Sequence, residues 1–378
     1  MINGLIEDVI FNLNKMYKQS ILQNICILDF TWALAGPYAT RLLADFGAEV
    51  IKVQSPLMED ENDAFTRGYY NTWNRNKLGI TLNLNKLEGV ALAKRLVAIC
   101  DAVVENFNPR VMSNWGLDYV NLKKVKPDII MVSMSVKGQK SNYSGYGPTV
   151  HALSGMTYFT SFPGQPTIGP GFSYADHVAG LYASIRLLAA LEERANMGGG
   201  QHIDISEVDI MKDLLADARE LEPAGNTSSQ AAPHNVYRCQ GGRWYAIAVF
   251  TKGEWQGLKK AMGNPAWAED KKFTKLSSRL KNSDELDKFI TAWTQQSTVE
   301  EVMSLLQKNG VPAGIVQNSA DLAVDSQLQA RGFFIKNVHT PLVDAVPIRM
   351  AAAKAEYKKA ASSLGQDNDY VYGELPYL

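Results

Sequence analysis

Between Ile25 and Ser133, short apolar runs alternate with helical stretches, and this alternation limits the possible folds more than any other feature of the chain. Ile25 to Phe30 has the length and character of a strand. Pro37, whose missing N–H costs nothing in a first helical turn, opens a helix reaching about Asp45. Gly47 stops that helix, and Glu49 to Val53 follows as a second strand. Strand Ile80 to Leu84, helix Leu87 to Cys100, strand Ala102 to Glu105, a helix from Pro109 and strand Ile129 to Ser133 continue the series. Parallel strands require such crossovers, and crossovers share one hand. The expected fold is therefore α/β, a largely parallel sheet with helices on both faces. The turn after the first strand reads Ala33-Leu34-Ala35-Gly36-Pro37. It lacks Gly-x-Gly-x-x-Gly, which argues against a dinucleotide-dependent dehydrogenase.

From Ser135 to Ser173 the chain turns to Gly, Pro, Ser, Thr and aromatic residues with little periodicity. A long irregular stretch in a compact domain is functional or disordered, and Tyr143, Tyr146, Tyr158, Phe159, Phe162 and Phe172 favour function. The stretch ends in Gly169-Pro170-Gly171-Phe172-Ser173-Tyr174-Ala175-Asp176-His177, followed by an apolar helix from Val178 to Leu191. Asp176 occupies the place of an N-cap. It can serve as a cap, or the first-turn amides can hold an ionised carboxylate there as a nucleophile. Gly198-Gly199-Gly200 has no Gly-Lys-Ser/Thr after it and reads as a tight turn before strand Gln201 to Ile205.

The polar stretch Glu222 to Asn235 is the best linker. Beyond it lies a smaller α+β unit with strand Trp244 to Phe250, helix Glu285 to Gln295 and a capping box, Thr298 with Glu301, whose helix Gly310 closes. Near the start, Leu5, Val9, Leu13 and Met16 mark an amphipathic helix over Leu5 to Tyr17. A length of 378 residues suits two domains, and 46% hydrophobic with 20% charged residues is ordinary for a soluble protein. A net charge of −1 argues against a general nucleic-acid binder. Cys26, Cys100 and Cys239 have no metal-ligand spacing and read as free thiols of a cytoplasmic protein, with no metal expected. No signal peptide or membrane span is legible.

Six segments, in order, resemble class III CoA-transferases of the CaiB/BaiF type. They are Ile-Leu-Asp-Phe-Thr-x-x-Leu-Ala-Gly-Pro-Tyr-Ala-Thr (27–40), Leu-Leu-Ala-Asp-Phe-Gly-Ala-Glu-Val-Ile-Lys-Val (42–53) and Asn-Arg-Asn-Lys (74–77). Val-Glu-Asn-Phe-Asn-Pro (104–109), Ser-Tyr-Ala-Asp-His-Val-Ala-Gly (173–180) and Gln-Leu-Gln-Ala-Arg-Gly-Phe-Phe (327–334) complete the set. The resemblance runs from about residue 22 to the C-terminus. It implies a Rossmann-like large domain built from both chain ends, residues 1–222 and 331–378, with a small domain at 223–330. It also implies two interlocked chains, either a homodimer or a heteromer with a paralogous subunit.

The same resemblance implies that Asp176 carries the acyl and CoA groups in turn. No permanently bound cofactor is implied; CoA and acyl-CoA are substrates, with succinyl-CoA the expected donor and a carboxylic acid the acceptor. CoA contacts are expected at Arg75, Lys77, Asn106, Phe107, Arg110 and Lys137, with Arg110 standing in for an Arg that relatives carry at Asn114. Ser55 also replaces an Arg of some members. The substrate pocket is expected at Trp32 and Leu34, which suit a larger or less polar acid than oxalate, and at Gln139, Gly169 and Gly171 as oxyanion donors. A racemase branch needs a His where this chain has Pro148, with His151 and His177 nearby. A racemase or intramolecular isomerase, and a non-catalytic subunit, are the alternatives.

Overall fold

The structure, a computed structural model, describes residues 20–57, 64–216, 222–337 and 340–374. The helix expected at Leu5 to Tyr17 lies outside them. The chain divides into two compact units, one of Met1–Thr157, Gly169–Arg219 and Gln327–Leu378, the other of Tyr158–Ile168 and Glu220–Ser326. Tyr158–Ile168, which the sequence places in the larger domain, groups instead with the smaller unit.

The larger unit carries β1 (Cys26–Asp29), β2 (Glu49–Gln54), β3 (Lys77–Thr81), β4 (Ala102–Glu105), β5 (Ile130–Ser135) and β6 (His202–Ser206). They form one sheet in the order β3-β2-β1-β4-β5-β6, every pair parallel. Its helices are α1 (Ala35–Asp45), α2 (Ala64–Asn74), α3 (Leu87–Ile99), α4 (Val111–Asn114), α5 (Tyr119–Val125), α6 (Gly147–Ser154), the first half of α7 (Met156–Phe159), α8 (Tyr174–Met197) and α9 (Glu207–Leu214).

Successive strand side chains point to opposite faces, and the core divides accordingly. Ile27, Val50, Val104, Ile130 and Val132 join the cluster of α1 and α8. Leu28, Ile51, Val103 and Met131 join that of α3 and Leu122 of α5. Helices α1 and α8 approach closely because Gly180 has no side chain: a Cβ there would lie 2.7 Å from the Ala35 carbonyl oxygen. Ser184 Oγ, one turn on, donates to the Ala39 carbonyl at 3.2 Å.

Strand β3 starts at Lys77 rather than Ile80, and α2 is a helix that the apolar pattern does not announce. The outer edge of β3 is covered by the returning C-terminal segment. Gly79 N–H donates to Asp367 Oδ2 at 2.7 Å and Thr81 N–H to Asn368 Oδ1 at 2.9 Å. Paired in this way, the edge offers no template for association. The opposite edge, β6, has no strand beside it among the described residues.

The smaller unit holds a three-stranded antiparallel sheet, His234–Arg238, Trp244–Ala248 and Ala313–Ile315, around buried Tyr237, Tyr245, Trp255 and Phe273. Its capping box is formed as expected: Glu301 N–H donates to Thr298 Oγ at 3.2 Å and Thr298 N–H to Glu301 Oε2 at 2.9 Å. No helix among the described residues is long and apolar enough to cross a membrane. None of them cluster as three or more His, Cys, Asp and Glu suited to a metal ion.

Candidate active site

Strand order reverses between β1 and β4, and in open parallel sheets ligands bind outside the carboxyl ends of the strands at such a point. A cavity of about 350 Å³ lies there, lined among others by Trp32, Gln54, Ser55, Tyr69, Asn83 and Phe107. Its walls are fixed by hydrogen bonds between the β1 and β4 turns. Trp32 N–H donates to Asn106 Oδ1 at 2.8 Å, and Asn106 Nδ2 donates back to the Trp32 carbonyl at 2.9 Å. Phe107 N–H donates to Glu105 Oε2 at 2.8 Å, and the Phe107 ring meets Trp115 edge-on at 5.5 Å.

Beneath the cavity lies a buried charge cluster. Asp29 Oδ1 accepts the Thr31 N–H at 2.8 Å, and Oδ2 accepts the Thr40 hydroxyl at 2.7 Å and Lys77 Nζ at 3.0 Å. Lys52 Nζ lies 3.4 Å from Oδ1 and donates to the Thr31 carbonyl. Burial alone raises a carboxyl's pKa, yet the two ammonium groups and two hydroxyls outweigh it and hold Asp29 well below the usual range. Lys77 is pulled down to about 7, by burial first, against the attraction of Asp29. Lys77 also donates to the Pro37 carbonyl at 3.1 Å, so the cluster anchors the first turn of α1.

Helix α8 begins at Tyr174 with Ser173 as its cap residue, so Asp176 stands three residues inside the helix and is not the cap. The Ala175 amide donates to His151 Nε2 at 3.1 Å, which joins the start of α8 to α6. Asp176 Oδ2 is buried and has no hydrogen-bond partner among the described residues. Burial raises the Asp176 pKa, opposed by its own backbone N–H and by His177. Space for it exists because residue 147 is glycine: a Cβ there would lie 2.4 Å from Asp176 Oδ2. Tyr69, which lines the cavity, has its phenol pKa raised by burial and then by the charge of Asp176. Asp176 is thus within electrostatic reach of the cavity wall. Ser135 Oγ, at the end of β5, is a second buried atom without a partner.

Gly147→Ala is expected to displace the carboxylate and to lower kcat/KM by roughly 100-fold, as about 1 Å of misplacement does. Parallel melting curves should keep Tm within a few degrees; undiminished activity would mean the slot does not set the carboxylate's position.

The structure does not bring all the expected site residues together at the cavity. Arg75 and Lys77 are 2% and 1% exposed and face inward. Arg75 forks onto Asp45 at 3.1 and 2.7 Å and reaches Asp344 at 3.1 Å, with Tyr357 under its guanidinium. Leu34 is buried and is not part of the cavity lining. Gln139's amide, expected as an oxyanion donor, is taken by Asp204 at 3.0 and 3.1 Å, and its side chain lies with Arg110 in a separate small cavity beside Glu105. Lys137 is exposed, its ammonium 4.4 Å from the Tyr143 ring centre. Gly169 and Gly171 are exposed, with Gly171 at φ 75°. Trp32 and Phe107 do line the cavity, and Asn106 braces it. Sequence reasoning missed Tyr69 and Gly147; only the Tyr146-Gly147-Pro148 turn hinted at the latter.

The chain is similar to several known CoA-transferases over most of its length. Succinyl-CoA–D-citramalate CoA-transferase from Chloroflexus aurantiacus is 33% identical over 94% of this chain and 94% of its own. The succinyl-CoA–L-malate CoA-transferase alpha subunit of Chloroflexus aurantiacus is 35% identical over 84% of this chain and 79% of its own. The crystal structure of a CaiB/BaiF family protein from Brucella suis superposes with a TM-score of 0.87 at 29% identity, covering 94% of this chain and 99% of that one. Matched from residue 22 to residue 368, the chain belongs to CoA-transferase family III and is an enzyme that transfers CoA.

Proposed function

We propose that this enzyme moves CoA from an acyl-CoA donor to a carboxylic acid, with the Asp176 carboxylate as the temporary carrier. The observation that carries the reading is the buried, partnerless Asp176 Oδ2, placed beside Gly147 and within electrostatic reach of the cavity's Tyr69. A carboxylate so placed attacks the donor's thioester carbonyl. The C–S bond breaks, giving a mixed anhydride and CoA thiolate. The thiolate then attacks the aspartyl carbonyl, releasing the donor acid and leaving an aspartyl-CoA thioester. The acceptor carboxylate attacks that thioester carbonyl, forming a second mixed anhydride and freeing the thiolate again. Attack of the thiolate on the acceptor's acyl carbonyl forms the new acyl-CoA and regenerates Asp176. No proton is gained or lost.

The cavity at the β1/β4 turns is the groove for CoA, with Trp32 and Phe107 as its apolar faces. Succinyl-CoA, part of the names of the two transferase relatives, is the donor we assign. With Leu34 buried, a preference for a less polar acceptor rests on Trp32, 51% exposed at the cavity. His151 is a poor candidate for racemase chemistry, because its Nε2 already accepts the Ala175 N–H. The β6 edge, unpaired among the described residues, with Leu181, Ile185 and Leu188 exposed on α8 at 42%, 63% and 40%, supports association with a second chain, which the interlocked dimer requires. A heteromer is the second reading, because the malate relative is an alpha subunit. Free thiols at all three cysteines fit a reducing, cytoplasmic setting.

The test is incubation of the chain, purified alone, with succinyl-CoA and hydroxylamine, followed by peptide mass analysis. A hydroxamate on the peptide containing Asp176 is expected. An unlabelled peptide from an enzyme that still exchanges CoA would overturn the covalent reading.

A further inference from the structure

Glu207 has no part in this scheme, yet it is buried on a turn that shares a core cluster with the turn of the proposed nucleophile. It is the first residue of α9, entered from β6 through Ser206, whose Oγ accepts the Asp209 N–H at 3.2 Å. The next residue, Val208, donates its N–H to the Val136 carbonyl at 3.0 Å and shares a core cluster with Val150 and Ala175. The turn bearing Glu207 is therefore fixed against the turn bearing Asp176. Glu207 is 7% exposed, and apart from burial the influence acting on it is the charge of Asp176.

Other polar groups around this turn are engaged or remote. On α8, the His177 ring meets Tyr38 and Trp73, each at 5.3 Å. On α6, His151 accepts the Ala175 N–H. On α9 itself, Asp209, Lys212 and Asp213 are exposed, and β5 contributes the neutral Ser135. Two carboxyls shielded from water on adjoining turns do not both ionise cheaply, and groups that interact strongly titrate as a pair. Asp176 has its own backbone N–H and His177 to favour its anion; Glu207 has neither.

We infer that Glu207 is a positioning residue that stays protonated, so that Asp176 is the carboxyl left ionised to attack the thioester. This rests on the reading of Asp176 as nucleophile. Burial and the Asp176 charge push Glu207 up to about 8. Above that pH, Glu207 gives its proton to solvent, and a second negative charge opposes the oxyanion formed during attack on the thioester.

The test is kcat/KM for the acyl-CoA donor between about pH 6 and pH 10, which reports groups of the free enzyme. In the parent enzyme it should fall about tenfold per pH unit on the alkaline side. Glu207→Gln, neutral at every pH, should hold its plateau at least about one unit further. An unchanged alkaline limb in Glu207→Gln overturns the inference, as would the same limb in Glu207→Met, which serves if the amide variant does not fold. Hydroxylamine trapping runs alongside. Missing label in the parent removes the covalent reading, whereas label retained in parent and variant with identical limbs removes only the role of Glu207.

Discussion

Asp176→Ala is expected to lower CoA exchange by roughly 10³-fold or more, the loss typical of removing a covalent nucleophile. The fold should not suffer. Asp176 Oδ2 is buried without a partner, and an unsatisfied buried polar atom costs about 1–3 kcal/mol, so alanine there is expected to leave Tm equal or higher. Exchange kinetics with succinyl-CoA and thermal melts of the same preparations check both halves. Turnover within tenfold of the parent would exclude Asp176 as carrier.

Asp29→Ala should be the most damaging change to stability. It removes the counter-charge from buried Lys52 and Lys77, and breaking a buried ion pair from one side costs about 3–5 kcal/mol. Urea unfolding of parent and variant measures the difference, and a loss below about 1 kcal/mol would contradict it. The sign of its pH dependence follows from Lys77. In the parent this group titrates at about 7, against about 10.4 when unfolded. Stability therefore rises with pH between those values, where the unfolded chain alone holds the proton. Without Asp29 the folded lysine loses its proton at still lower pH. The deficit of the variant should accordingly narrow as pH rises towards about 7 and level off above it. Because the cluster also anchors Pro37 and Thr31, the acyl-CoA KM should rise with the loss of stability.

Much of the sheet was legible because β1, β2 and β4 are apolar runs punctuated by Gly and Pro, which is local information. The start of β3 was not. Its first residue, Lys77, reads as polar surface, and only Asp29, 48 residues away, explains its burial. Arg75 misled in the same way: its partners Asp45 and Asp344 lie 30 and 269 residues away. A cation's spacing says nothing of whether it meets a phosphate or an internal carboxylate. Helix α2 escaped notice because Gly68, Asn71 and Asn74 interrupt its apolar face. Asp176 was found through its motif, while the feature that makes room for it, the missing side chain at Gly147, belongs to a different helix.

The bracing of β3 by Asp367 and Asn368 has a bearing on biosynthesis. A ribosome releases β3 long before those two residues, with Glu220–Ser326 of the smaller unit in between. During that interval the growing polypeptide carries an unguarded strand, and any premature stop leaves it so permanently. Chaperone dependence, and insolubility of products ending before Asp367, are the cost of building one layer from both termini.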